Sequence, residues 1–388
     1  MSAITIGGDL IHYEVLGRGR PVLLVHGWLG SWRYWVPAMQ QLQLKYRVYA
    51  LDMYGFGDTG KNPQKYALDH QVQLLFDFMN SMAIPKAAFI GHGLGALAVS
   101  EFARLYADKA PRIMLIETPL FDPGNLDKRV PAGRASVPLT YNRPLNTPPP
   151  VPAAANNAPA PATTTPASTS PAPAAATASP ATPANDPPPD STIMNASSAM
   201  RAALLERQRA QTANASASPA ASTGSPVVET PAPAAPPPPG DTAMPKHNPL
   251  QTSIAGMSLD VLLAKCFKKS EAAFDKLSAD LAKTDTAAVK GSVSAYDSGR
   301  MLDTLRMLPM PRVLVQGLDD SLLPPPSENV WNYLTNEKEE TLLPILLPGV
   351  RHFPMLEYER FTRLVNDFLE VPDISKLEIK ERWKRRTR

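Results

Sequence analysis

A chain of 388 residues with 43 Pro, one Cys and a formal net charge of +3 has length for more than one domain, but its composition shortens the part able to fold. Near-neutrality excludes the strong basic field of a nucleic-acid binder, and the single Cys266 excludes an internal disulfide framework and fits a reducing, cytoplasmic compartment. No apolar run approaches the roughly 18 residues of a membrane-spanning helix, and Met1-Ser2-Ala3-Ile4-Thr5-Ile6-Gly7 has neither the basic start nor the apolar stretch of a signal peptide.

In chain order, Ile4 to Ile6 and Ile11 to Val15 flank Gly7-Gly8-Asp9 and predict an opening hairpin. Pro21-Val22-Leu23-Leu24-Val25 is continuously apolar, as a strand buried on both faces should be, and runs into His26-Gly27-Trp28-Leu29-Gly30-Ser31. The spacing of Trp32, Trp35, Val36, Met39 and Leu42 predicts a helix; Arg47 to Leu51 predicts a strand leading to the loop Asp52-Met53-Tyr54-Gly55-Phe56-Gly57; Leu68 to Met82 predicts a second helix. In Ala87-Ala88-Phe89-Ile90-Gly91-His92-Gly93-Leu94-Gly95-Ala96 an apolar run ends in a Gly-rich turn and a helical pattern follows at once. Arg112 to Ile116 is another buried strand. Strands alternating with helices predict a parallel α/β sheet.

From about 136 to 247 the pattern collapses into Pro, Ala, Thr, Ser and Asn. Such a segment has too little apolar surface to offset an ordering entropy of ~1–2 kcal/mol per residue, and disorder with polyproline character is expected. Order is expected again near Ser258, where Leu259, Leu262, Cys266, Phe267, Phe274, Leu277 and Leu281 follow helical spacing, with Cys266 a small core residue. Met301 to Met307 predicts a further short helix, Arg312 to Gly317 a strand ending in Leu318-Asp319-Asp320, and Thr341 to Leu347 the last strand, before Pro348-Gly349-Val350-Arg351-His352-Phe353 and a helix from about Met355 to Leu369. Residues 371–388 hold seven Lys/Arg against three Asp/Glu. This tail has the character of a peripheral contact with an anionic membrane or an acidic partner, or of a solvated end.

Four motifs thus follow four separate strands in order: His26-Gly27, Gly91-x-Gly93-x-Gly95, Asp320 and His352. The layout resembles the capped α/β-hydrolase superfamily, whose nucleophile elbow reads G-x-S-x-G and whose catalytic residues run nucleophile, acid, histidine. The resemblance implies a mostly parallel sheet with helices on both faces. The core would be 1–120 and 308–370, with a cap at 121–307 carrying the Pro/Ala-rich insertion. It also implies His352 as general base, Asp320 (or neighbouring Asp319) orienting it, and the backbone N–H groups of Trp28 and Leu94 as an oxyanion hole. Gly93 departs from the pattern, because it puts no side chain where the family has its nucleophile. The expectation is a protein weak or inactive as an esterase that binds a small apolar ligand or a partner. The alternative is a hydrolase, lyase or cofactor-free oxygenase using the His352–Asp320 pair on water or on an acidic proton.

A competing match is the dinucleotide fingerprint, Gly91-x-Gly93-x-x-Ala96 with Glu117 ending the next strand. It leaves His26-Gly27, Asp320 and His352 unexplained, so no cofactor is expected. The six His and one Cys show no zinc spacing, so no metal is expected either.

Overall fold

The computed structural model describes residues 2–129, 247–335 and 341–377, and all of them fall within one compact unit. Its spine is an eight-stranded sheet in the order β1-β2-β4-β3-β5-β6-β7-β8: β1 Ser2–Ile6, β2 Asp9–Leu16, β3 Arg20–Val25, β4 Tyr46–Leu51, β5 Ala88–His92, β6 Ile113–Ile116, β7 Arg312–Gly317 and β8 Leu342–Leu347. β1 and β2 form the expected antiparallel hairpin, β2 pairs antiparallel with β4, and every other pairing is parallel. The continuous apolar runs are explained by this arrangement. Val22 to Val25, Ile113 to Ile116 and Val313 to Val315 are buried because helices cover both faces of the parallel part.

The helices are α1 Val36–Leu42, α2 Leu68–Ser81 and α3 Leu94–Leu105; then α4 Leu250–Ser253, α5 Leu259–Cys266, α6 Ala272–Leu281, α7 Thr286–Val293 and α8 Ser298–Met307 between β6 and β7; and finally α9 Glu328–Thr335 and α10 Tyr358–Glu370. In α2 the residues Val72, Leu75, Phe78 and Met79 are buried, the spacing of one helical face. α3 buries most of its length, as a helix packed between sheet and neighbouring helices must.

Three expectations are corrected in detail. The helix expected from Trp32 is two pieces: a 3₁₀ turn over Trp32–Trp35, then α1, whose Pro37 sits in the first turn, where its missing N–H costs nothing. The last helix starts at Tyr358, after a separate 3₁₀ turn at Pro354–Leu356, because Glu357 (φ −84°, ψ 58°) leaves helical backbone. The chain is already ordered at His247, earlier than Ser258. Leu250 and Ile254 are fully buried and anchor α4. The expected disorder of 136–247 lies, apart from His247, outside the described residues, as does 378–388 of the basic tail; of that tail, 371–377 are described and include a 3₁₀ turn at Ile374–Lys376. Among the described residues no helix is long and apolar enough to cross a membrane.

Candidate active site at the carboxyl ends of the strands

Every motif singled out in the sequence lies just past the carboxyl end of a parallel strand, the edge where open α/β sheets assemble their sites. β5 stops at His92, Gly93 turns the chain at φ +52°, ψ −109°, and α3 begins at Leu94. The flanking glycines are required by contact. A Cβ on Gly95 would lie 2.7 Å from the Val25 carbonyl carbon and 2.8 Å from the His26 oxygen, and one on Gly91 would lie 2.6 Å from the Gly95 carbonyl carbon. The turn is thus wedged between β3 and its own helix, and only glycine fits on either side of the apex. Gly93 N–H is tied to the Ile116 carbonyl at 2.9 Å.

Above the apex lies the Trp28 indole, with no exposed surface. A Cβ on Gly93 would stand 3.2 Å from both Cε3 and Cζ3 of that ring. The indole is fixed from its far side, its Nε1–H donating to Ser292 Oγ of α7 at 3.1 Å. A residue more than 260 positions away therefore holds the ring that fills the space over Gly93. Leu94 follows the apex directly as the first residue of α3.

β7 and β8 bring together the acid and the histidine. The loop after β7 is stitched to the loop after β8 by Leu318 N–H to Leu347 O (3.1 Å) and Asp319 N–H to Val350 O (3.0 Å). His352 Nδ1–H donates to Asp320 Oδ2 at 2.7 Å, so Asp320, not Asp319, is the partner. Asp320 also accepts the Leu322 N–H at 2.8 Å. Burial alone would raise the Asp320 carboxyl, but His352 and these bonds hold it below the usual range, so it is ionised. His352 Nε2 is buried with no hydrogen-bond partner among the described residues.

His92 belongs to the scaffold of the site. Its Nε2–H donates to the His352 carbonyl at 2.8 Å. That fixes Nδ1 as an acceptor for the Tyr34 hydroxyl (3.0 Å), which in turn accepts the Gly27 N–H at 2.7 Å. Burial, with His352 close by, keeps His92 far below the ordinary histidine range, hence neutral, and burial keeps Tyr34 protonated. His26 is neutral for the same reason, its Nδ1–H donating to Gly27 O and its Nε2 accepting Met53 N–H. His26 and Gly27 therefore act by holding the loop between β3 and α1 against the elbow, and Gly27 has room for no more than hydrogen, since a Cβ would meet His92 Nδ1 at 2.8 Å.

Several participants escape a sequence reading. Asp52 accepts Trp32 N–H (2.8 Å) and Asp58 N–H (2.9 Å), joining two loops. Asp280 of α6 accepts Ser31 Oγ–H at 2.9 Å and Arg33 at 3.3 Å, and Asp58 accepts Arg33 (2.6 Å) and Lys283 (2.7 Å). These bonds fasten α6 and the turn after it to the loops that follow β3 and β4. No local pattern announces pairs more than 200 residues apart. Glu117 is also here, fully buried, its Oε1 accepting Gly317 N–H at 2.6 Å. An open groove of about 500 Å³ lined by Gly57, Asp58, Lys61 and 282–285 shares no residue with the elbow. His12, Asp52 and Asp58 approach one another closely enough for a metal, but Asp58 is already neutralised by Arg33 and Lys283.

An open parallel sheet with a glycine-wedged elbow after β5 and an Asp–His pair after β7 and β8 is the architecture of a hydrolase-type α/β protein. The chain matches the alpha/beta hydrolase fold over residues 20–216 and belongs to that family. It is 34% identical over 122 residues to bifunctional epoxide hydrolase 2 of Rattus norvegicus, a match covering 30% of this chain and 22% of that protein. It is 32% identical over 116 residues to epoxide hydrolase 4 of Homo sapiens, covering 29% and 32%. The matched region thus spans about a fifth to a third of these curated relatives. A thermophilic esterase from Thermogutta terrifontis, solved with malate bound, superposes with a TM-score of 0.53 at 15% identity, over 95% of this chain and 98% of that one, and shares the fold.

Proposed function

We propose that this chain is an α/β-hydrolase-fold protein without covalent catalysis, binding a small, largely apolar ligand or a protein partner in place of an ester it would cleave. One observation carries the reading: Gly93 forms the apex of the strand–turn–helix after β5, the position we read as that of the family's nucleophile, and the Trp28 ring lies 3.2 Å from where any side chain would begin. An acyl-enzyme needs a nucleophilic side chain at that apex, and glycine has none. In a serine hydrolase, losing it costs about a million-fold in turnover, and only the roughly thousand- to ten-thousand-fold contribution of oxyanion hole and binding remains. Trp28 N–H and Leu94 N–H are the donors that would serve as that oxyanion hole, and they belong to the backbone, so a glycine at 93 does not remove them. The surroundings suit an apolar guest: Phe353 packs on His92 and His352, and Phe267 of the inserted helices on Phe353.

A second reading has one observation in its favour. His352 keeps its Asp320 bond and a buried Nε2 with no partner among the described residues, the arrangement a general base requires. It would act on water or on an acidic C–H or O–H of the substrate, as a hydrolase, lyase or cofactor-free oxygenase.

The two readings separate in a panel of short and medium acyl nitrophenyl esters and an epoxide, tested with wild type, Gly93→Ser and His352→Ala. Under the first, wild type and His352→Ala show the same near-background rate and only Gly93→Ser gains turnover. A wild-type rate that His352→Ala abolishes would overturn it and establish the general-base mechanism.

A further inference from the structure

Glu117, just past β6, takes a backbone state few residues other than glycine adopt, φ +46°. Gly317 N–H occupies Oε1. Oε2 is fully buried, and no N–H or O–H donor of another residue reaches it. One Glu117 carboxylate oxygen lies within 4.8 Å of an Asp320 oxygen and of a His352 ring nitrogen, and two buried carboxyl groups that close are stable side by side only if one holds a proton. Asp320 is the ionised member, since it accepts from His352 Nδ1–H and Leu322 N–H.

We propose that Glu117 is protonated at neutral pH and donates its O–H to Asp320, making the acid behind His352 a carboxyl–carboxylate dyad with Glu117 as its positioning residue. The inference rests on reading His352 and Asp320 as the paired groups of the site. The other groups facing the dyad agree with it. Among the described residues no Lys or Arg bonds either carboxyl, and Arg351, beside His352, is taken by Glu271. Cys266 on α5 is buried, and burial together with Asp320 pushes its thiol up, so it is neutral. Burial and the adjacent Asp320 likewise hold Glu117 well above the usual carboxylate range. Two ionised carboxylates side by side in such a site cannot coexist, and one proton shared between them is the low-energy state. With that proton, the dyad carries a single negative charge and Asp320 has its oxygens satisfied by His352, Leu322 and Glu117. Asp320 then has no freedom to rotate away from His352.

Infrared difference spectroscopy of wild type against Glu117→Gln in heavy water at pH 7 tests this without reference to turnover or ligand, so it stands or falls independently of the pseudoenzyme reading. The expected result is a buried protonated-carboxyl C=O band in wild type that is absent from Glu117→Gln. Glutamine keeps both an N–H donor toward Asp320 and an oxygen for Gly317, so the downfield His352 Nδ1–H proton resonance should persist in Glu117→Gln and shift or broaden in Glu117→Leu. Coincident carboxyl regions in wild type and Glu117→Gln would overturn the proposal. So would a band whose loss on titration places Glu117 ionised at pH 7. If Glu117→Leu fails to fold, the glutamine comparison decides alone.

Discussion

Placing serine at position 93 should destabilise the protein, and the size of the loss depends on Trp28. The turn sits at φ +52°, ψ −109°, where a residue with a Cβ stores about 1–3 kcal/mol of backbone strain. The new Cβ also stands 3.2 Å from two indole carbons, and the ring cannot withdraw freely because Ser292 holds its Nε1–H at 3.1 Å. Overpacking of this kind costs a further ~1–3 kcal/mol. Gly93→Ser should therefore lose about 2–6 kcal/mol, with roughly 2–4 °C in Tm for each kcal/mol. Trp28→Leu removes the indole and is itself destabilising, but in that background serine should cost only the strain. Urea unfolding of the four proteins of the cycle at one pH measures the difference, and a coupling of about 1–3 kcal/mol is expected. Equal costs for serine with and without the indole would refute the placement of the Trp28 ring over the apex.

Three other outcomes follow from the same geometry. Ser292→Ala leaves a buried indole N–H without an acceptor and should cost about 1–3 kcal/mol by chemical denaturation; no loss would mean that water or another group holds Trp28. Asp58 is lowered from 3.8 to about 2, since bonds from Lys283 and Arg33 outweigh a burial effect of opposite sign. A depressed acid contributes stability above its unfolded value and loses it as pH falls through the folded one. Asp58→Asn should thus trail wild type by about 1 kcal/mol at pH 6, for partly exposed pairs. The gap should close as pH falls from 3.8 through about 2, and melting curves in which it persists below that would contradict the pairing. Gly95→Ala forces a Cβ to within 2.8 Å of the His26 oxygen in a wedge of backbone and should leave no cooperative transition, whereas a melt like that of wild type would show that the elbow is looser than described.

Much of this is legible in the sequence, for a physical reason. Strands buried on both faces must be continuously apolar, so Val22 to Val25 and Ile113 to Ile116 declare themselves, and the turns between strand and helix must be glycine-rich, so Gly91, Gly93 and Gly95 do too. Asp320 and His352 are readable because each lies a few residues past a strand, and of the two acids it is Asp320, not its substitute Asp319, that makes the 2.7 Å bond. What was illegible is long-range. Ser292 on Trp28, Asp280 on Ser31 and Lys283 on Asp58 join residues separated by the whole insertion, and no periodicity encodes such a pair. Glu117 is visible in the sequence as an acid at a strand end, which fits a ribose-binding role; in the structure it is fully buried and accepts Gly317 N–H at the end of β7. The early start of α4 was hidden because Leu250 and Ile254 alone, in a Pro-rich context, carry too little pattern.

The central claim is that no residue of the elbow forms a covalent intermediate. Intact-protein mass spectrometry after incubation with a fluorophosphonate, wild type beside Gly93→Ser, tests it most directly. The account predicts an unmodified wild type and a single adduct on Gly93→Ser that His352→Ala suppresses. A stoichiometric adduct on the wild-type chain would contradict it, and mapping that adduct would name the nucleophile.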